Sequence, residues 1–111
     1  MKLSKELVAA SSVPVVLSVL AGGESYGYAI IERVRELSGG EIEWSDGMLY
    51  PVLHWMEEQG YIKGRWGASE AGRKRKYYSL EKGGSEALQN SKDQWTTVDK
   101  MLRQLWRHQH V

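Results

Sequence analysis

The sequence predicts a mostly α-helical chain interrupted by one small β-hairpin, and three features carry that reading. Apolar residues recur at helical spacing in four separate stretches. Between the third and the fourth, residues 61–80 change to the period-two alternation of paired strands around a Gly-rich turn. Serine before a stretch and glycine after it mark where the helices start and stop.

Taken in order, Ser4 caps a first helix from Lys5 to about Ala21, with Val13, Val16, Leu17 and Leu20 as its buried stripe. Pro14 falls inside it and should kink it or mark a restart. Gly22-Gly23 ends it. Ser25 opens a second helix in which Tyr26, Ile30, Val34 and Leu37 share a face, and Ser38-Gly39-Gly40 stops it. Ile42 and Trp44 alternate with Glu41 and Glu43, the pattern of a very short strand.

The third helix follows Ser45 and buries Leu49, Val52, Leu53 and Met56, with Gly60 just past its end. Its opposite face carries Gly47, Pro51, His54 and Glu58, flanked by Met48, Tyr50 and Trp55. That face is polar and aromatic rather than salted with Lys and Glu. Pro51 cannot donate to the Gly47 carbonyl and crowds it, and the glycine lets the first turns adjust.

Tyr61 to Trp66 reads as a strand, residues 67–72 as a turn, and Arg73 to Leu80 as the returning strand. Lys76, Tyr78 and Leu80 face one way, and Arg75, Tyr77 and Ser79 the other. From Glu81 onward the pattern is helical, interrupted only by Gly83-Gly84. Leu88, Ser91, Trp95, Val98, Leu102 and Leu105 follow the spacing of a coiled-coil seam, with Met101 and Trp106 beside it. This order of elements is the layout of a winged helix-turn-helix over residues 1–80, with a C-terminal dimerisation helix over 81–111.

Charge distribution gives the hairpin its meaning. The chain of 111 residues has a net charge of +1, but residues 1–60 carry −5, residues 61–80 carry +5 and residues 81–111 carry +1. A basic block therefore sits directly behind the third helix. With no cysteine, the chain has neither a disulfide framework nor a thiolate metal site, which fits a reducing, cytoplasmic setting. The apolar run from Val13 to Leu20 is too short for a membrane span, and no signal-peptide pattern precedes it. No Gly-rich phosphate loop, nucleophile motif or acid pair with a base supports catalysis, so no enzyme and no cofactor is expected. His108 and His110 point about 200° apart on a helix and cannot share an ion there.

Tyr26-Gly27-Tyr28, Leu37-Ser38-Gly39-Gly40, residues 49–54, Glu58-Gln59-Gly60, Trp66-Gly67 and residues 72–80 resemble, in order and at matching spacing, the PadR family of bacterial transcriptional regulators. The resemblance implies a winged-helix DNA-binding domain, usually a repressor, dimeric through the last helix. Met48 and Glu81 depart from the family pattern, where threonines are common. Residues 95–102 are similar to the dimer helix of the multidrug-sensing regulators of lactic acid bacteria. In those proteins the counterpart of Trp95 stacks on flat aromatic drugs near the counterpart of Asp99.

The partners expected are double-stranded DNA, a second copy of the chain, and a planar aromatic molecule as a candidate ligand; no membrane is expected. The third helix would enter the major groove, with Ser45 at its cap, Gly47 allowing close approach, Met48 offering an apolar contact, and Tyr50, Pro51 and His54 reading bases. Lys63, Arg65, Arg73, Lys74, Arg75 and Lys76 would neutralise phosphates. Trp95 either packs as core in the seam or lines a gap there with Val98, Leu7 and Ala10, with Asp99 at its edge. The rival reading is a winged-helix module that binds protein through the same exposed aromatics, against which the basic wing argues.

Overall fold

A computed structural model describes residues 1–109. Its elements are α1 (Lys5–Ala21), β1 (Ser25–Tyr26), α2 (Gly27–Leu37), α3 (Asp46–Glu58), β2 (Ile62–Ala68), β3 (Lys74–Leu80) and α4 (Lys82–Arg107). The three strands form one antiparallel sheet in the order β1-β3-β2. This is the mostly helical, winged architecture expected from the sequence. His110 lies outside the described residues.

Helices α1 and α3 start where a serine hydroxyl satisfies an orphan backbone donor, whereas α2 and α4 start without a side-chain cap. Ser4 Oγ accepts from the Leu7 N–H at 3.2 Å and Ser45 Oγ from the Met48 N–H at 3.3 Å. The α2 end is closed by the Gly40 N–H donating to the Arg35 carbonyl at 2.8 Å, with Gly39 and Gly40 at φ of 60° and 83°. Val16, Leu17, Ile30, Leu49, Leu53 and Met56 are fully buried where the first three helices meet the sheet. Burying each such side chain stabilises the fold by about 1.5–3 kcal/mol.

Several local expectations change. Pro14 marks no restart in α1, which is helix throughout from Lys5 to Ala21. Ser25 does not cap α2: it and Tyr26 are extended and pair with Tyr78 and Tyr77 of β3, because a sheet edge offers ladder partners that a lone serine cap does not. Leu37 stays 65% exposed instead of completing the buried face of α2. Ile42–Trp44 forms no strand; Trp44 simply buries its indole in the core, to 6% exposure.

The Gly83-Gly84 pair does not interrupt α4. It lets the helix seat against the wing root, since a Cβ on Gly84 would run into the Tyr61 carbonyl oxygen and Leu80. One on Gly83 would stand 3.0 Å from the Gly60 carbonyl oxygen. Leu88, one turn further on, joins the core of its own domain. Beyond it α4 extends away, and the molecule measures 59 × 31 × 21 Å. No helix among the described residues is long and apolar enough to cross a membrane.

Candidate nucleic-acid interface

The third helix turns its buried face, Leu49, Leu53 and Met56, to the core, which leaves Tyr50, Pro51, His54 and Trp55 outward. The His54 side chain is 77% exposed, with Nε2 3.5 Å from Glu58 Oε1 one turn along. Tyr50 is 45% exposed and rests on the first residue of α2: a Cβ on Gly27 would sit 2.5 Å from its hydroxyl. Met48 leans on the core as a half-buried residue and is less available than its neighbours. Ser45 and Gly47 are exposed at the helix start.

The wing is the β2–β3 hairpin. Its tip is closed by Ser69, whose carbonyl accepts from the Gly72 N–H at 2.8 Å and whose hydroxyl accepts from the Arg73 N–H at 3.2 Å. Gly72 stands at φ 81°, the left-handed region that a two-sided turn here needs. Together α2, α3 and the wing enclose an open cleft of about 710 Å³, lined by Tyr28, Tyr50, His54, Trp66 and the run Arg73 to Lys76. Parts of the helix front and of the basic wing thus share one concave surface.

The six wing cations expected to meet phosphates differ in their surroundings. Arg73 and Lys74 are exposed at the tip and make no ion pair among the described residues. Arg75 lies 3.8 Å over the Tyr26 ring, and Tyr26 meets Tyr77 edge-on at 5.6 Å. Lys76 lines the cleft but donates to Glu57 Oε1 at 2.9 Å, and that carboxylate raises the lysine's pKa above its ordinary value. Gly64 makes room for this, since a side chain there would collide with Lys76. Arg65 points away from the cleft and forms two bonds to Glu24, at 2.9 and 2.5 Å. The guanidinium holds the Glu24 carboxyl below the usual carboxylate range. Lys63 is exposed on the far side of β2, near Glu81 and Lys82.

Sequence reasoning missed Glu24, Glu57, Tyr28 and Trp66. The two carboxylates carry no local signal, because their partners lie 41 and 19 residues away. Trp66, 69% exposed, could have been found as a large aromatic on the strand facing the basic one, whereas Tyr28, 66% exposed on α2, carries no such mark.

Trp95 is 41% exposed and lines a second, apolar groove of about 920 Å³ with Leu88, Ser91, Pro14, Val15, Val19 and Leu37. Leu7, Ala10, Val98 and Asp99, expected beside Trp95, lie outside that lining. Asp99 accepts from Arg103 Nε at 2.9 Å. Trp95, Val98, Met101, Leu105 and Trp106 leave α4 with an apolar stripe, Leu102 being partly covered.

Comparison with known proteins places this arrangement. The profile of the transcriptional regulator PadR-like family matches residues 16–90. The chain is 28% identical over 89 residues to the transcriptional regulator YqjI of Escherichia coli (strain K12). That match takes in 80% of this chain and 41% of YqjI, so the chain spans about two-fifths of the length of that relative. A PadR-like transcriptional regulator from Bacillus cereus superposes with a TM-score of 0.83 at 27% identity, covering 95% of this chain and 100% of that one. A transcriptional regulator from Clostridium thermocellum gives 0.82 at 25% identity, over 92% and 96%. The family match covers the end of α1, α2, α3, the wing and the start of α4, and the chain belongs to the PadR-like family of transcriptional regulators.

Proposed function

We propose that the chain is a sequence-specific DNA-binding regulator, a repressor in its simplest mode, that works in the cytoplasm as a homodimer. Each protomer sets α3 in the major groove and lays the wing along the backbone. The observation that carries the reading is the shared cleft, in which Tyr50 and His54 face the same open space as Arg73, Lys74 and Arg75. A protein-binding winged helix needs no such cations, whereas a polyanion does. The exposed stripe on α4 supports dimerisation, because an isolated domain has no use for an apolar edge of that length. Anisotropy of labelled genomic fragments, read as salt rises, tests the reading. Tight binding that falls steeply with salt and favours particular fragments is expected, and no retention of any duplex would overturn it.

A ligand role for Trp95 rests on a separate observation, its half-exposed indole in the apolar groove beside α1. We infer that a flat aromatic cation stacks there and weakens DNA binding, gaining about 0.5–1.5 kcal/mol per aromatic contact beyond area burial. Quenching of tryptophan fluorescence by such a dye should saturate and should be lost in Trp95→Ala. Undiminished binding by a folded, dimeric Trp95→Ala protein would leave Trp95 as an interface residue only.

A further inference from the structure

Trp66 is the most exposed of the tryptophans measured as surface residues, at 69%, although it sits within a paired strand. The register places it directly opposite Lys76, so both side chains leave the same face of the hairpin. At the wing root that face supplies the core residues Ile62 and Tyr78. Toward the tip it runs out of protein to cover. The indole therefore lines the cleft that Tyr28, Arg73 and Lys74 also line. An apolar ring left 69% exposed there contributes little to the folded monomer, while the neighbouring cations repel a basic partner and would lose hydration against an apolar one. Both features suit a polyanion with apolar sugar edges between its charges.

We propose that Trp66 is a DNA-contact residue of the wing, packing its indole against deoxyribose edges while the adjacent cations take the flanking phosphates. The inference rests on the DNA-binding reading above. Its chemistry differs from that of the cations in a measurable way: the indole is neutral, so its contact releases no counterion. Trp66→Ala is expected to weaken a duplex about tenfold, the scale of losing one aromatic stacking surface, with the slope of log K against log salt unchanged. Trp66→Phe should recover part of the loss.

The decisive measurement uses full-length protein labelled with 5-fluorotryptophan, its Trp66 fluorine line assigned with Trp66→Phe, and a short mixed-sequence duplex at low ionic strength. A shift of the Trp66 line that tracks the anisotropy isotherm, together with the tenfold loss at constant slope, is the expected result. A Trp66 line that stays put while anisotropy reports bound duplex would overturn this inference alone. No duplex binding at low ionic strength would overturn the DNA-binding reading and the inference with it.

Discussion

Side chains of one formal charge play different parts in the wing. Arg73 is unpaired among the described residues, so Arg73→Ala should reduce the slope of log K against log salt by roughly 0.9 per lost phosphate contact. Glu24→Gln should act oppositely, by releasing Arg65 from its carboxylate and steepening the slope. Acidification should do the same. The Glu24 carboxyl titrates below the ordinary carboxylate value, so its pairing is complete above that value and is lost as pH falls through and beneath it. At the helix front, His54→Ala should leave the melting temperature alone and cost about 1–3 kcal/mol on a specific site. Gly27→Ala makes a sharper test: the three atoms nearest the new methyl all belong to Tyr50, whose ring it would displace. DNA discrimination should change while thermal stability holds, and unaltered discrimination would remove Tyr50 from the reading surface. Much of this surface was legible in the sequence, because Tyr50 and His54 follow from helical periodicity. The pairing of Arg65 and Lys76 was not, since an ion pair across 19 or 41 residues leaves no periodic trace.

At the level of elements, the caps and glycine stops of α1 and α3 were readable because they are local chemistry. The sheet edge was not. Ser25 and Tyr26 have the composition of a helix start, and only the presence of β3 makes them a strand. The glycines of α4 misled in the same way, for what reads as an interruption is a docking seat against Tyr61. Gly84→Ala should therefore destabilise the domain by about 1–3 kcal/mol, the usual range for overpacking, although alanine is the better helix former; a gain in melting temperature would show that the seat is loose. Leu88 belongs to the domain core as well as starting the seam, which fixes where α4 can be cut. Ending the chain after Lys92 should keep the winged domain folded and leave it monomeric by sedimentation at micromolar concentration. A dimer surviving that cut would remove the distal stripe, Trp95 to Trp106, from the interface.

Across the whole molecule, the reading surface and the apolar stripe of α4 lie on separate parts of an elongated body. Helix α4 has 26 residues, which at 1.5 Å of rise each makes it about 39 Å long. The wing root is tied twice: to α3 through Lys76 and Glu57, and to the approach to α2 through Arg65 and Glu24, Arg75 and Tyr26, and the β1–β3 ladder. These ties couple the wing to α3, so that the two would move as a single jaw. In the proposed dimer, two such jaws on a common shaft would make a calliper, whose grip on DNA would depend on its opening and not on the shape of either jaw. A molecule acting at the shaft would change which half-site spacing is bound best while leaving the preferred half-site sequence as it was.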